Sequence, residues 1–325
     1  MRKIQFVEAL AEAMAEEMRV NDKIFVMGED VGLAGGVRMA TKGLWEEFGE
    51  ERVRDTPISE AVIVGAGVGA AITGTIPIVE LMYGDFLFIA GDEIFNKMAK
   101  WRYEHGGTMK IPMVLRISTG GGFGGAAEHS QSLEMMLMSI PGIDVYYPST
   151  PAEAKAMLKY AIRDENPSVF LEHRLLYKVK GEVSDVDLDI PFGKADIKRV
   201  GKDITVVVHG YQVMAALSAA EKLQAEGIDV EVVDLRFISP LDKDTILKSV
   251  DKTGRLVTME EGHKTGGVGG EVSAIVAEEG IFNLFGPIKR VAALDLPIPY
   301  SKPMEKFVLP SEEKLIDAIR EVMRY

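Results

Sequence analysis

The chain contains a run of nineteen uncharged residues, Ala61 to Val79, opened by one carboxyl group, Glu60, in the string DTPISEAVIVGAGVGAAITGTIPIVE. A run of that length approaches a membrane span. Its content argues otherwise: Gly65, Gly67, Gly69, Gly74, Thr73, Thr75 and Pro77 make it a small-residue segment with a break near its end. Each glycine inside a helix costs roughly 1 kcal/mol relative to alanine, a cost tolerated where another backbone or a ligand comes close. The expected local structure is a buried helix from Glu60 to about residue 73, then a turn and a strand at 76–81. Glu60 is either a helix N-terminal charge behind a Ser59 cap, or a carboxyl that must be paired, neutralised or used.

At 325 residues the chain accommodates two domains with full cores. A net charge of −13 argues against nucleic acid or anionic membrane as main partners. The absence of cysteine excludes disulfides, thiolate metal sites and Cys nucleophiles. The N-terminal stretch, with Phe6, Leu10, Met14 and Met18 at i, i+4 spacing, is an acidic amphipathic helix rather than a signal peptide. The default expectation is cytoplasmic. The chain opens at a methionine leading a helix and ends in a full helix, so an untruncated chain is expected.

Strands and helices alternate, the pattern of parallel α/β sheets. Strands are expected at 23–28, 76–82, 111–117, 143–148 and 167–173, with helices at 3–19, 60–73, 92–104 and 151–164. Residues 178–199 are polar and loop-like. A second alternation follows, with strands at 203–210, 228–235, 254–261 and 288–294 and helices at 212–226, 242–250, 267–279 and 312–323. The predicted division is residues 1–185, a linker at 186–200, and residues 201–325.

Residues 120–125, GGGFGG, form a loop that could cradle a phosphate, although the spacing fits neither a P-loop nor a dinucleotide fingerprint. His129 follows it, on the loop leaving a parallel strand, where open α/β sheets bind ligands and where an imidazole can exchange protons near neutral pH. His263 sits in EEGHKTGGVGGE, whose glycines precede a helix and could bind an anion. His105, His173 and His209 read as structural. No His or carboxylate spacing matches a transition-metal site.

The strings GEDVG (28–32), DTPISE (55–60), AAEHSQSLE (126–134), PGI (141–143), AIRDENP (161–167), LEHRLLY (171–177), DLRFISPLD (234–242) and EEGHKTGGVGGEV (260–272) resemble the β subunit of the thiamine-diphosphate-dependent decarboxylating component of 2-oxo acid dehydrogenase complexes, of the pyruvate, branched-chain and acetoin types. The resemblance spans essentially the whole chain. It implies an α/β fold of two parallel-sheet domains, a thiamine-diphosphate pyrimidine-binding domain followed by a transketolase C-terminal-like domain. It gives Glu60 the contact to N1′ of the aminopyrimidine. Phe86 would stack on that ring, and Met82 and Glu29 would line the same site. His129 would face the substrate side and assist acyl transfer to lipoyl. Glu128, where relatives commonly carry Gln, and Ser139-Ile140, in place of a His-Cys or His-Val pair, bear on substrate choice rather than on Glu60.

The family's magnesium motif, GDG followed by Asn, is missing: Gly84-Asp85-Phe86 and Gly91-Asp92-Glu93 lack its second glycine. The resemblance therefore implies that a separate α subunit holds Mg²⁺ and half of the thiamine diphosphate, in an α₂β₂ heterotetramer with a β–β homodimer contact. It also implies a potassium ion held by Met113, Ala161, Ile162, Asp164 and Asn166. A dihydrolipoyl acyltransferase core would dock on the C-terminal domain at Asp295 and the carboxylate of Tyr325. The expected reaction is oxidative decarboxylation of a pyruvate-like 2-oxo acid. The alternatives are an acetoin-cleaving β subunit, a fragment of a one-chain thiamine enzyme, and a non-catalytic scaffold of the same fold.

Overall fold

Every residue of strands Val114–Thr119 and Ser168–His173 is buried, so these two form the centre of a sheet covered on both faces. The computed structural model describes residues 1–36 and 38–325. The chain forms two units, Met1–Thr119 with Met136–Ile190, and Gly120–Met135 with Pro191–Tyr325.

The first unit runs β1 (Arg2–Gln5), α1 (Phe6–Val20), β2 (Ile24–Gly28), α2 (Leu44–Phe48), β3 (Val53–Asp55), α3 (Glu60–Ile72), β4 (Ile76–Leu81), α4 (Ala99–Glu104) and β5 (Val114–Thr119). The chain returns through α5 (Glu134–Met138) to β6 (Asp144–Tyr146), α6 (Pro151–Arg163), β7 (Ser168–His173) and β8 (Lys180–Val183). Its sheet strands lie in the order β6-β7-β5-β4-β2-β3, all parallel. The polar ends β1 and β8 pair separately and antiparallel. Helix α1 buries Phe6, Leu10, Met14 and Met18, as its spacing predicts, and opens with a capping box in which the Gln5 amide donates to Glu8 Oε2 at 2.6 Å. The expected helix 92–104 is realised as a π-helical stretch, Glu93–Met98, running into α4.

Two of the three glycines of helix α3 have close neighbours: a Cβ on Gly65 would lie 3.3 Å from Glu93 Cγ, and Gly67 is tighter still. A Cβ on Gly67 would stand 2.6 Å from Val79 Cγ2 of β4, whereas Gly69 faces open space. Across β4, β5 and β7, Arg116 donates to Glu80 at 2.7 Å and, through two nitrogens, to Glu172 at 2.7 and 2.9 Å; Tyr177 Oη donates to the same carboxylate at 2.8 Å.

The second unit contains β9 (Asp196–Arg199), β10 (Ile204–Val208), α7 (Gln212–Gln224), β11 (Val230–Asp234), β12 (Phe237–Ser239), α8 (Lys243–Thr253), β13 (Leu256–His263), α9 (Val268–Glu279), β14 (Lys289–Ala293), α10 (Lys302–Val308) and α11 (Glu312–Val322). Its sheet order is β14-β13-β10-β11-β9. Only β9 is antiparallel, as an edge strand drawn from the polar stretch expected to be linker. Val206, Val232 and Val257 pack with Ala216 and Leu223 of α7 and Leu315 and Ile319 of α11. No helix among the described residues is long and apolar enough to cross a membrane.

Two glycines test local strain. Gly74 (φ +98°) has open space at its Cβ position, while a Cβ on Gly142 (φ +100°) would lie 2.1 Å from the carbonyl oxygen of Ala99. Gly74→Ala is expected to lose about 1–2 kcal/mol from the left-handed backbone alone. Gly142→Ala should lose roughly 1–3 kcal/mol more from the clash. Equal losses in urea denaturation would refute the packing assignment.

Candidate functional site

The parallel register brings the C-terminal ends of β2, β3 and β4 together, with Gly28 level with both Asp55 and Glu80. Open α/β sheets bind ligands at such ends. Gly28 permits this approach, because a Cβ there would come within 2.8 Å of the Glu80 carbonyl oxygen. The loop leaving β2 is held back onto the sheet: the Gly32 amide donates to Asp55 Oδ1 at 2.6 Å, and Thr41 Oγ1 donates to the Val31 carbonyl at 2.7 Å. The Thr56 amide donates to the Gly28 carbonyl at 3.0 Å, fixing the entry to α3.

Glu29 and Glu60 stand at this edge, 7% and 5% exposed. Glu60 is the first residue of α3, but Ser59 makes no side-chain cap, so the simple capped-terminus reading does not describe this helix start. Glu29 Oε1 is buried without a hydrogen-bond partner among the described residues. Burial, then the charge of Glu60, then that of Asp30, push the Glu29 carboxyl above its ordinary value. A buried carboxyl oxygen without a donor is one that an N–H group from outside the chain would satisfy.

Met82 and Phe86 follow β4 in the same unit. Ser118 Oγ donates to the Met82 carbonyl at 2.6 Å, fixing the chain as it leaves the strand. Phe86 closes on Tyr83 edge to face, 5.9 Å between centroids, and Arg174 lies over the Tyr83 ring at 4.3 Å. This leaves the Phe86 ring half-buried. The residues implied to hold potassium also belong to this unit. Asp164 Oδ1 accepts from the Asn166 amide at 2.7 Å, Asn166 Oδ1 accepts from Arg102, and the Met113 carbonyl accepts from the Ser168 amide at 2.9 Å. Ala161 and Ile162 lie in the last turn of α6, where helix carbonyls point outward. Nearby Asp144 is pushed up to about 6 by burial and then by Asp164. No group of three or more His, Asp or Glu residues able to hold a metal is found among the described residues.

His129 belongs to the other unit, on the segment Gly120–Met135, and is half-buried. Its glycine loop is no vacant phosphate cradle. The Gly121 amide donates to Glu261 Oε1 at 2.6 Å, and the amides of Gly122 and Gly124 donate to Glu305 Oε1 at 2.8 and 3.3 Å. The glycines after His263 are likewise used internally: the amides of Val268 and Gly269, at the start of α9, both donate to Glu260 at 2.8 Å. Strand alternation explains the division, since neighbours on β13 point to opposite faces. Buried His209 lies 3.2 Å from Glu134. Burial alone would lower its proton affinity, but the hydrogen bond and charge of Glu134 outweigh this and raise it. Asp295 accepts from the Thr265 amide at 3.2 Å and its hydroxyl at 2.6 Å. Glu261 and Glu305 are not legible as site residues in the sequence; the doublet Glu260-Glu261 closing a strand before glycines is the one hint.

The sign of the Glu29 shift gives a prediction. A carboxyl whose folded proton affinity is raised contributes stability below its unfolded value, near 4.5, and loses it as pH rises through the folded value. Glu29→Gln is therefore expected to raise the melting temperature of the free subunit at pH 7 and to have a smaller effect near pH 4.5, checked by calorimetry. An equal effect at both pH values would contradict it.

Residues 2–180 match the family model described as transketolase, pyrimidine binding domain, and residues 193–315 match transketolase, C-terminal domain. The chain is 45% identical to the 2-oxoisovalerate dehydrogenase subunit beta of Bacillus subtilis (strain 168) over 324 residues, 99% of each. It is 43% identical to the acetoin:2,6-dichlorophenolindophenol oxidoreductase subunit beta of the same organism, covering 99% of this chain and 98% of that one. It is 47% identical to the pyruvate dehydrogenase E1 component subunit beta of Rhizobium meliloti (strain 1021), covering 97% of this chain and 69% of that one. Among solved structures, a split-gene transketolase, described as an inactive beta4 tetramer, superposes with a TM-score of 0.81 at 26% identity, covering 99% of this chain and 98% of that one. With both domains in order and relatives matched along nearly the whole chain, this protein belongs to the family of dehydrogenase E1 β subunits built from transketolase pyrimidine-binding and C-terminal domains.

Proposed function

We propose that the chain is the β subunit of a thiamine-diphosphate-dependent 2-oxo acid dehydrogenase decarboxylating component, active only with an α subunit and passing the acyl group to lipoyl. The observation that supports this is the pair of buried carboxyls Glu29 and Glu60 at the C-terminal edge of a parallel sheet, with Glu29 Oε1 left without a donor. A scaffold subunit would have no use for a buried acid short of a donor beside a second buried acid, because that burial is costly.

Thiamine diphosphate, when bound, supplies the electron sink for decarboxylation. Glu60 would hold a proton shared with N1′ of the aminopyrimidine. Phe86 would stack on that ring and fix its plane, worth about 0.5–1.5 kcal/mol beyond area burial. Met82 and Glu29 would line the same side, and Glu29 keeps the local field negative. His129 would serve as proton donor or acceptor on the substrate side. Magnesium and the diphosphate fall to the α subunit in this reading, within an α₂β₂ heterotetramer joined through β–β contacts. The second unit would meet the acyltransferase core, and a cytoplasmic setting is proposed.

The substrate proposed is a pyruvate-like 2-oxo acid, with acetoin as the alternative. Identities to the pyruvate, branched-chain and acetoin relatives fall within a few percent of one another and favour none of them. The test is the reconstituted α₂β₂ enzyme, assayed on pyruvate, a branched-chain 2-oxo acid and acetoin with an artificial electron acceptor. Glu60→Gln is expected to slow C2 proton exchange of bound thiamine diphosphate by about 10²-fold or more while leaving the melting temperature nearly unchanged. Undiminished exchange would refute the assignment.

We also propose potassium at Met113, Ala161, Ile162, Asp164 and Asn166, since carbonyl and carboxylate oxygens suit a hard cation. Replacing potassium with a large organic cation should lower the melting temperature of the subunit. No change would count against the site.

A further inference from the structure

The three amides of Gly121, Gly122 and Gly124 converge on two carboxylates from distant parts of the second unit. Glu261 lies near the end of β13 and is 6% exposed; Glu305 lies in α10 and is 3% exposed. Glu261 is itself held by Gln212 Nε2, at 3.0 Å on Oε2, and by Ser132 Oγ, at 3.3 Å on Oε1. Ser132 belongs to the same loop three residues beyond His129, so Glu261 grips the loop on both sides of the histidine. Gly122 (φ +87°) and Gly124 (φ +82°) adopt left-handed backbone, which turns both amides toward one oxygen. A side chain on Gly121 would press on Leu309 at 3.3 Å, so the loop lies close against the end of α10.

We propose that Glu261 and Glu305 are positioning residues: two internal anions that fill the glycine cradle of residues 120–125 and thereby set the place of His129. The inference rests on the role given to His129 above. Charge-assisted amide bonds are shorter and stronger than neutral ones. Two buried carboxylates can therefore order a segment that has no helix or strand of its own before α5. Neither carboxylate touches a reacting atom in this assignment; each acts through the loop. The anion class is fixed by this chain, so an external phosphate has no amides left to bind at Gly121, Gly122 and Gly124.

The experiment uses the reconstituted α₂β₂ enzyme with Glu305→Ala, Glu305→Gln and Glu261→Gln. Hydrogen exchange of the peptide covering residues 118–133 is read by mass spectrometry, independently of activity. Glu305→Ala is expected to speed exchange there roughly tenfold or more, the loss of one or two buried hydrogen bonds. Glu305→Gln, which keeps an acceptor oxygen but loses the charge assistance, should speed exchange by a smaller factor, about twofold to fivefold. Acyl transfer to lipoyl should fall about tenfold to a hundredfold in Glu305→Ala, since an error near 1 Å in a catalytic group has that effect. C2 exchange of bound thiamine diphosphate should stay within about twofold of wild type.

Unchanged loop exchange in Glu305→Ala would overturn the proposal, and so would a parallel fall in C2 exchange, which marks a general structural defect. If Glu305→Ala fails to assemble, the two Gln variants decide. Faster loop exchange in either supports the clamp, and wild-type exchange in both overturns it. Loss of loop protection without any change in acyl transfer would separate the two readings: the clamp would stand as an anchor, and the role of His129 would fall.

Discussion

Arg116 is the charge on which the first sheet depends. It lies 1% exposed in the middle strand, with bonds to Glu80 on one neighbouring strand and Glu172 on the other. Burial disfavours its charged form, yet the two carboxylates outweigh that and hold it more firmly protonated than a free guanidinium. Such a group adds little net stability compared with an apolar core, but removing one partner costs about 3–5 kcal/mol because a buried charge is left alone. The geometry is specific: a planar fork meets Glu172 through two nitrogens and leaves a third for Glu80. Since β4, β5 and β7 must align to satisfy all three side chains, their register is fixed. With it are fixed the strand ends that carry Met82 and, through β2, Glu29.

The second unit applies a related device without a cation. Both of its glycine-rich segments resemble anion cradles, and both are filled by side-chain carboxylates: Glu260 at the start of α9, Glu261 and Glu305 at residues 121–124. Backbone amides carry partial positive charge and tolerate a buried carboxylate when several converge. The glycines are what allow this approach. A Cβ on Gly267 would fall 2.6 Å from the Glu260 oxygens, and one on Gly269 would fall 2.8 Å from Oε1. A strongly acidic chain thus places part of its charge inside, as structural anions, rather than on its surface.

These differences show what the sequence makes legible. The long strands and helices are readable because β-branched runs and i, i+4 stripes are local signals, and α1, α3, α6, β7 and β10 fall within a few residues of expectation. The short polar strands β1, β3, β8 and β9 are not, because an edge strand needs no apolar pattern and is defined by its partner. Glu60 stands out because it alone is charged ahead of a long apolar run. Glu305 does not, since its partners are backbone amides 183 and 181 residues away, and amides carry no sequence signature. The anion-binding appearance of the loops at 120–125 and 265–270 misleads for the same reason: sequence displays the donors and hides which acceptor reaches them first.

The internal carboxylates differ in how fully they are supplied with donors. Glu172, Glu260, Glu261 and Glu305 are all buried, and each accepts two or more hydrogen bonds or an ion pair. Glu80 is held by Arg116. Glu29 is as deeply buried, its Oε1 lacks a donor, and burial followed by the charge of Glu60 raises its proton affinity. Glu29 directly follows the end of β2, where open α/β sheets present ligands. A buried carboxyl oxygen without a donor costs the isolated chain stability, and a donor that completed Glu29 would recover that free energy.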